Sequence, residues 1–397
     1  MKVILLNQFF PPAQAPTGIL LRDAAVALAQ RGHTVVVLTS AAGYGATGAA
    51  ADLPENVSVV RLGTAGQHGS RPRGKLRDYR DFYRAAAGEL QRQQPADALV
   101  CLTTPPFIGL LGARWRQKNG LPYILWCMDL YPEVLAAHGW LRPWNPLQFI
   151  LRRWARRERR GAAAVVALGP DMAARLRNTG AARVEMIPVW ASTRLNPQVE
   201  AAARALRKTR GWADDEIVLL YSGNMGRAHS ATEFAALAEH LRQVSPRCRF
   251  VFAGDGPARA AWARRWSDRF EFMPAVPGDA AAHLRAADVH LVSQKPAWQG
   301  IVVPSKFPAA CAVGRPVVFA GPPQSAIGQW LGAADAGWLL NEPAPADIVA
   351  VARALCDPAQ RTAKGQNALR LHQARFTPED NCARLVALVE ETAQKNP

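Results

Sequence analysis

The feature that most constrains the fold is an alternation, along the whole chain, of short apolar runs with amphipathic helical stretches. KVILLN at residues 2–7 and HTVVVLTS at 33–40 are typical of buried strands, and TGILLRDAAVALAQRG between them has apolar residues at helical spacing. EIVLLYSG, RFVFAGDG and RPVVFAG repeat the strand pattern in the second half. Strands that alternate with helices form parallel sheets covered on both faces. The sequence therefore predicts an α/β fold with two doubly wound, Rossmann-like domains.

A change of composition near residues 187–198 (IPVWASTRLNPQ) predicts the boundary between the two domains. We expect an N-terminal domain over 1–190, a C-terminal domain over 191–377, and a final helix over 378–397 that returns to the first domain. In doubly wound sheets, ligands bind outside the carboxyl ends of the strands. Two such domains are expected to face each other across a cleft. No G-x-G-x-x-G follows the first strand, so the sequence lacks a dinucleotide fingerprint.

The charge is strongly basic and unevenly distributed. The chain carries 48 Lys+Arg against 31 Asp+Glu, a net charge of +17, and residues 1–190 hold 24 basic against 12 acidic residues. Such a first half indicates an anionic partner: nucleic acid, an anionic membrane surface or a phosphorylated substrate.

Cysteine and histidine usage favours a reduced protein without a metal site. The six cysteines are scattered with no C-x-x-C pair, which is typical of core packing in a reducing compartment, and the eight histidines show no metal-ligand spacing. The N-terminus is interpreted as a first strand rather than a signal peptide. No apolar stretch is long enough to predict a transmembrane helix.

Three turns that follow strands in the second half suggest phosphate binding. The first holds Gly223, Asn224 and Arg227, where glycine allows close backbone approach and arginine can bind phosphate oxygens in bidentate fashion. In the second, Gly254 precedes Asp255, which we interpret as a structural turn residue.

The third turn opens a short helix, with Ser305 as N-cap and Lys306 at the first helical position. A cation is disfavoured at that end of a helix, so an anion bound there would explain it. An ordinary strand–helix turn with a solvated cation is the alternative for each turn. Because all three turns fall at one sheet edge, we favour a diphosphate held from two sides.

The first half offers carboxylates beside a glycine. Asp129 and Glu133 follow the apolar run YILWC, where a carboxylate can act as a base or bind a sugar hydroxyl. We assign a function to Asp129, whereas Glu133 can equally cap the next helix. Gly18 is predicted just before a helix, where a ligand could approach the backbone.

Residues 141–160 predict a basic amphipathic helix. Leu147, Ile150, Leu151 and Trp154 recur at helical spacing, and six arginines from Arg152 to Arg160 cover the other faces. Residues 71–92 add basic positions interleaved with Tyr79, Phe82 and Tyr83. These patterns favour an anionic membrane surface over nucleic acid as the partner of this helix. The alternative is a solvated helix that packs on the first domain through its apolar stripe. The predicted membrane-binding residues are Arg152, Arg153, Trp154, Arg156 and Arg157.

Five segments occur in the order found in family 4 glycosyltransferases of the GT-B fold. They are PTGILLRDAAVALAQRGHTVVVLTS, MDLYPE, YSGNMGRAH, FAGDGP and VVPSK…AVGRPVVF. The chain most resembles the bacterial polysaccharide branch, which includes colanic-acid-type and N-acetylfucosamine transferases. The resemblance implies retaining transfer from a nucleotide sugar, UDP-linked in our reading, without a metal or other cofactor. It places the nucleotide on the second domain and the acceptor on the first.

By position, the resemblance also implies the roles of the site residues. Those expected at the donor are Gly18, Gly223, Asn224, Arg227, Gly254, Ser305 and Lys306. Asp129 would lie beside the reacting sugar, with Glu133 on the acceptor side. The predicted catalytic set is Asp129, Arg227 and Lys306.

This chain departs from the family pattern at four positions. Two glutamates usual in the family are replaced by Ile301 and Ala309, a lysine of the first glycine turn by His229, and a histidine by Met128. Donor contacts must therefore be arranged differently here.

The basic, aromatic first domain predicts a polyisoprenyl-diphosphate-linked saccharide as acceptor, with the protein peripheral on the cytoplasmic face of the cell membrane. The alternatives are a nucleotide-sugar epimerase or hydrolase of the same architecture, a non-catalytic nucleic-acid-binding protein, and a degenerate transferase that binds without turnover.

Overall fold

The computed structural model describes residues 1–13, 15–41, 52–63, 72–142, 144–245, 247–276 and 280–395. The chain forms two compact units. Unit 1 comprises Met1–Pro188, Gly300–Val302 and Pro378–Pro397, and unit 2 comprises Val189–Gln299 and Val303–Thr377.

Each unit contains one parallel sheet. The strands of unit 1 are β1 (Lys2–Leu6), β2 (Thr34–Ser40), β3 (Val57–Leu62), β4 (Ala98–Cys101), β5 (Tyr123–Trp126), β6 (Ala164–Ala167) and β7 (Val184–Met186), in the order β3-β2-β1-β4-β5-β6-β7. Those of unit 2 are β8 (Ile217–Ser222), β9 (Cys248–Ala253), β10 (Glu271–Met273), β11 (Val289–Ser293), β12 (Val317–Ala320) and β13 (Gly337–Leu340), in the order β10-β9-β8-β11-β12-β13.

Helices connect the strands. In unit 1 they are α1 (Pro16–Gln30), α2 (Pro72–Arg92), α3 (Gly109–Asn119), α4 (Glu133–Ala137), α5 (Pro146–Gly161) and α6 (Pro170–Asn178). In unit 2 they are α7 (Pro197–Thr209), α8 (Thr232–Val244), α9 (Arg259–Trp266), α10 (Ala280–Arg285), α11 (Lys306–Ala312), α12 (Ala326–Ala334), α13 (Pro345–Cys356) and α14 (Pro358–Arg375). The last helix, α15 (Pro378–Gln394), belongs to unit 1.

The central strands of unit 1 are buried on both faces, which explains their continuous apolar runs. β1 is fully buried from Val3 to Leu6 and pairs in parallel with β2 and β4. α15 packs on α1, and Glu390 at its C-terminal end accepts a 2.9 Å hydrogen bond from the imidazole of His33. The final helix thereby covers the face of unit 1 that α1 forms.

The core of unit 2 is aromatic on one face of its sheet. Phe252 stacks on Tyr221 with ring centroids 5.3 Å apart and on Phe270 at 4.3 Å, and Trp262 closes the cluster edge-on. The strand order reverses between β8 and β11, and this is the switch point at which doubly wound sheets bind ligands.

The predicted fold class, an α/β protein with two doubly wound parallel sheets, is confirmed. All six cysteines are free, and four of them, Cys101, Cys127, Cys311 and Cys382, are buried. Among the described residues, every helix is too short or too polar to cross a bilayer.

Candidate active site

Two glycine turns in unit 2 pack directly against each other at the carboxyl ends of β8 and β9. Gly223 and Gly254 both have positive φ, +118° and +134°, in the region that disfavours side chains. A Cβ on Gly254 would lie 2.2 Å from the carbonyl oxygen of Gly223, so no other residue fits there. The Gly223 amide donates to the Ala253 carbonyl at 2.8 Å. The structure thus brings Gly223 and Gly254 together, as the three-turn hypothesis requires.

Asp255 stabilises this pair of turns. Its side chain accepts a 2.8 Å hydrogen bond from the amide of Gly256, and its carbonyl accepts one from the Met225 amide at 2.7 Å. These bonds support the interpretation of Asp255 as a structural turn residue.

Lys306 reaches back from α11 to the first glycine turn. Its Nζ donates to the carbonyl oxygen of Asn224 at 3.0 Å and lies 5.0 Å from the ring centroid of Tyr221. A Cβ on Gly223 would lie 3.2 Å from Cε of Lys306, so the glycine leaves room for this side chain. Burial lowers the pKa of Lys306 to about 8, because the charged form loses solvation. The group is still mainly a cation at neutral pH.

His229 is the second partner of the Lys306 ammonium. Nε2 of His229 lies 3.3 Å from Nζ of Lys306, and Nδ1 lies 2.6 Å from the carbonyl oxygen of Ser293 at the end of β11. Burial and the nearby charge of Lys306 lower the pKa of His229 to about 3. The imidazole is therefore neutral. The sequence identified this position only as a departure from the family pattern, and the contact with Lys306 was not predicted.

A second histidine lies behind Ser222, the last residue of β8. Nε2 of His283 lies 3.1 Å from Oγ of Ser222, and Nη1 of Arg210 lies 3.1 Å from Nδ1 of His283. Since a guanidinium only donates, Nδ1 must accept and Nε2 must donate to the serine. Ser222 is therefore not activated as a nucleophile. This array has no sequence motif, because its members are far apart along the chain.

Three of the other residues predicted for the donor side, Asn224, Arg227 and Ser305, are exposed. Arg227 is exposed in the loop between β8 and α8, and Asn224 is exposed beside it. Ser305 is exposed and precedes α11, but its side chain makes no capping hydrogen bond. The predicted N-cap position of Ser305 is confirmed, but it makes no capping bond, because this residue itself has helical φ and ψ, −65° and −13°. Its hydroxyl is not used by the helix.

In unit 1, Asp129 follows β5 and is anchored through its backbone. The amides of Met128 and Asp129 donate to Oγ1 of Thr103, which follows β4, at 3.0 and 3.1 Å. Burial raises the pKa of the Asp129 carboxyl to about 6. A carboxylate with that pKa can accept or release a proton near neutral pH.

Glu133 is engaged by a buried arginine. Nη1 and Nη2 of Arg159 donate to its two carboxylate oxygens at 3.2 Å each, and Nη2 also donates to the Tyr131 carbonyl at 2.9 Å. Arg159 is only 2% exposed. Its expected place on the outer face of the basic helix is therefore wrong: α5 turns this side chain inward to neutralise Glu133. The ion pair gives Glu133 a structural role in the segment that follows Asp129.

Gly18 lies inside α1, two residues after its start, and not just before a helix as predicted. A Cβ on Gly18 would lie 3.2 Å from the backbone of Phe9 and Phe10. The glycine therefore allows close packing of α1 on the segment after β1.

Polar groups that the sequence did not single out lie at the switch point of unit 1, between β1 and β4. Asn7 and Gln8 follow β1 and are buried, and the Gln8 amide donates to the Thr104 carbonyl at 2.8 Å. Among the described residues, the side-chain oxygens of Asn7 and Gln8 have no hydrogen-bond partner.

Of the two positions where the family has glutamates, Ile301 is buried and Ala309 lies within α11. The carbonyl of Ile301 accepts a 3.1 Å hydrogen bond from the amide of Leu130, the neighbour of Asp129. Ile301 contributes through its backbone to the segment that carries the candidate carboxylate.

α5 carries an unusual exposed surface, which we call the α5 surface. Five arginines are exposed along it, and a cavity of about 550 Å³ is lined by Phe149, Arg152, Arg153, Trp154, Arg156, Arg157 and Arg160. Leu147, Ile150 and Trp154 are exposed, whereas Leu151 packs in a small core with Phe107. Phe149 is 73% exposed, and Trp144, just before the helix, is 92% exposed. The sequence pattern missed these last two residues, because Phe149 lies off the apolar stripe and Trp144 precedes the helix.

The aromatic residues of α2 do not extend the α5 surface. Phe82 is buried, and the hydroxyl of Tyr83 donates to the carbonyl of Pro106. The interpretation of Phe82 as interfacial is therefore wrong, because its ring is buried in unit 1, and the hydroxyl of Tyr83 is held by the segment that precedes α3. Arg71 of the predicted basic segment lies outside the described residues.

Among the described residues, no group of three or more His, Cys, Asp or Glu side chains is arranged to hold a metal ion.

Two family descriptions match the chain. Residues 18–190 match a glycosyl transferase 4-like domain, and residues 216–357 match glycosyl transferases group 1. Together they cover most of the sequence, one on each side of the predicted domain boundary.

Among curated proteins, the chain is 30% identical to the putative colanic acid biosynthesis glycosyl transferase WcaI of Escherichia coli K12. That match extends over 38% of this chain and 39% of WcaI. The chain thus matches these curated relatives over well under half of their length.

Solved structures share the fold over the whole chain. Sucrose-phosphate synthase from Thermosynechococcus elongatus has a TM-score of 0.74 at 19% identity, covering 98% of both chains. HepE from Anabaena in complex with UDP has a TM-score of 0.66 at 16% identity, covering 98% of this chain and all of HepE. At these identities the likeness shows the GT-B fold.

Proposed function

Because the chain belongs to the group 1 (family 4) glycosyltransferases, we propose that it transfers a sugar from a nucleotide sugar to a saccharide acceptor, retaining the anomeric configuration and using no metal ion. The observation that carries the proposal is the Lys306 ammonium held over two interlocked glycine turns at the switch point of unit 2. A cation and close-packed backbone at that edge suit a diphosphate. HepE, with the same fold, binds UDP, and we propose a UDP-linked donor here.

Lys306 and Arg227 contribute to catalysis at the leaving group. Cleavage of the bond between sugar and diphosphate leaves negative charge on the departing oxygen. Preorganised cations stabilise this charge more in the transition state than in the ground state. Gly223, Asn224 and Gly254 allow the backbone to approach the diphosphate, and the unused hydroxyl of Ser305 adds a donor.

On the acceptor side, we assign Asp129 to the reacting sugar. Its raised pKa suits a group that exchanges a proton during transfer. Glu133 acts indirectly, because its carboxylate is held by Arg159. The close packing at Gly18 holds the start of α1, where a phosphate would approach the backbone.

For the acceptor, we propose a polyisoprenyl-diphosphate-linked saccharide in bacterial cell-surface polysaccharide synthesis, with the protein peripheral on the cytoplasmic face of the membrane. The α5 surface supports this, because exposed Trp and Phe beside arginines suit an anionic interface. Each arginine near such a surface adds about 1 kcal/mol of attraction.

The donor is tested by thermal-shift screening against UDP, GDP, ADP and their common sugars. A ligand at 100 times its dissociation constant should stabilise the fold by about 2.7 kcal/mol. We expect a shift with the UDP series that Lys306→Ala loses. No shift with any nucleotide would overturn the proposal. A soluble product formed from the nucleotide sugar alone would instead indicate an epimerase or hydrolase.

Membrane binding is tested by co-sedimentation with vesicles containing anionic phosphatidylglycerol at moderate salt. We expect wild type to sediment, and the triple variant Arg152→Gln, Arg153→Gln, Arg156→Gln to remain in solution. The matched control changes the exposed Arg264 and Arg265 of α9 in unit 2 to Gln and should sediment like wild type. Equal sedimentation of the α5 variant would contradict the membrane assignment.

A further inference from the structure

The neutral imidazole of His229 connects the end of β11 to the Lys306 ammonium. We propose that His229 is a positioning residue that holds the Lys306 ammonium in place for the diphosphate of the donor. The proposal rests on the function proposed above, and it assigns a role to a residue at which this chain departs from its family.

The hydrogen bonds fix the tautomer of His229. A backbone carbonyl only accepts, so Nδ1, 2.6 Å from the Ser293 oxygen, must carry the proton. Nε2 then presents its lone pair to Nζ of Lys306 at 3.3 Å. A neutral histidine in this tautomer accepts a hydrogen bond from the ammonium, whereas an imidazolium would repel it.

The geometry leaves one donor of Lys306 for a ligand. An ammonium has three N–H groups. Within the described part of the chain, one points to the Asn224 carbonyl and one to His229. Tyr221 lies below the ammonium at 5.0 Å and meets the His229 ring edge-on at 5.9 Å. The two fixed bonds orient the third N–H, so the lysine loses less conformational entropy on binding a phosphate.

Burial and the charges around His229 keep it neutral. Burial lowers the pKa of His229 most, and the charges of Lys306 and Lys295 lower it further. Tyr221, on β8, keeps its proton because burial raises its pKa. Ser293, on β11, contributes an uncharged carbonyl. Of Lys306, His229, Tyr221 and Ser293, therefore, only Lys306 changes its charge across the working pH range, and its titration makes anion binding depend on pH.

The pH dependence follows with a definite sign. Burial already lowers the pKa of Lys306 to about 8, and the bond to His229 stabilises the charged form. Removing the acceptor should lower this pKa further. As the pH rises, the affinity of a variant without this acceptor for diphosphate should therefore begin to fall at a lower pH than the affinity of wild type.

The test measures UDP binding by calorimetry from pH 6 to 9 for wild type, His229→Leu and His229→Gln. His229→Leu should weaken binding up to about tenfold at pH 7, because the freed Lys306 side chain must then be ordered on binding. It should also move the alkaline decline to lower pH. Glutamine can accept from the ammonium and should restore most of both properties. The matched control is His290→Gln, a buried histidine of β11 that bonds the Leu284 carbonyl and does not contact Lys306.

A second measurement is independent of nucleotide binding. NMR titration of the Lys306 ammonium in the free protein should give a lower pKa in His229→Leu than in wild type. Nitrogen shifts of His229 should show the Nδ1–H tautomer. An unchanged UDP affinity and alkaline limb in His229→Leu would overturn the positioning role. Absence of UDP binding in wild type would instead overturn the proposed function, and the Lys306 titration would still decide whether His229 holds the lysine.

Discussion

Gly254 packs so closely on Gly223 that a Cβ on Gly254 would lie 2.2 Å from the carbonyl oxygen of Gly223. The two residues are far apart in the sequence, yet each turn shapes the other at the carboxyl edge of the sheet. Gly254 is thus required by packing within the protein, independently of any ligand.

We predict that Gly254→Ala destabilises the protein by about 3 kcal/mol, since it combines a backbone clash with a strained positive φ. Chemical denaturation measures the loss. Gly332→Ala in α12 is the control, because nothing lies within 4 Å of its Cβ position. It should be neutral or slightly stabilising. Equal stability of the two variants would show that the turns can separate without cost.

Lys306→Ala and Arg227→Ala should each reduce turnover by about 100-fold or more, since each removes a cation from the leaving diphosphate. Steady-state kinetics with the donor identified by thermal shift measures this. Lys364→Ala is the control: Lys364 lies 5.5 Å from the Trp338 ring and pairs with Asp335, away from the glycine turns. If Lys306→Ala or Arg227→Ala turns over at the wild-type rate, the substituted residue does not stabilise the leaving diphosphate.

Asp129→Asn should lower kcat by about 100-fold or more while donor affinity stays near that of wild type, because the amide cannot exchange a proton. If the ionised carboxylate is the active form, wild-type kcat should rise with pH through about 6, and this limb should be missing in the variant. Asp97→Asn is the control, because Asp97 lies before β4 and accepts from the backbone of Lys2. Lost donor binding in Asp129→Asn would show that its role is misassigned.

Glu158→Gln should change how stability depends on pH. Burial raises the pKa of the Glu158 carboxyl to about 8, and its Oε2 has no partner among the described residues. The folded protein therefore binds this proton more tightly than the unfolded chain. The contribution of Glu158 to the free energy of unfolding is complete at a pH below the pKa of this carboxyl in the unfolded chain. It is lost as the pH rises to about 8, by at most about 1.4 kcal/mol per pH unit.

Denaturation between pH 5 and 8.5 should show Glu158→Gln gaining on wild type as pH rises. Glu89→Gln is the contrasting variant: bonds from Gln93 and Arg92 lower the pKa of Glu89, so its stabilisation is lost only at more acidic pH, and its difference from wild type should stay constant between pH 5 and 8.5. A constant difference between Glu158→Gln and wild type across this range would show that Glu158 is not protonated in the fold.

Local patterns were sufficient for the elements that position the site. The apolar run that ends at Ser222 predicted β8, and the glycines after it predicted a turn. A strand that is buried on both faces requires a continuous apolar run, and a turn with positive φ favours glycine. The strand and the turn can therefore both be recognised in the sequence before the fold is known. The same holds for Lys306 at the first position of α11.

Side-chain direction could not be predicted in the same way. Arg156 and Arg159 belong to one arginine-rich run, but only Arg159 turns inward to meet Glu133. Phe82 looked interfacial and is buried. These outcomes depend on which face of a helix meets another element, and that is set by residues distant in the sequence.

The sequence by itself determined the α/β architecture, the glycine turns and the lysine at the sheet edge, because each depends on local periodicity or backbone conformation. Only the tertiary structure decided that Gly254 packs on Gly223, that Arg159 neutralises Glu133, and that His229 accepts from Lys306. Parallel strands require long crossover connections, so groups that meet at the carboxyl edge of a sheet come from distant parts of the chain.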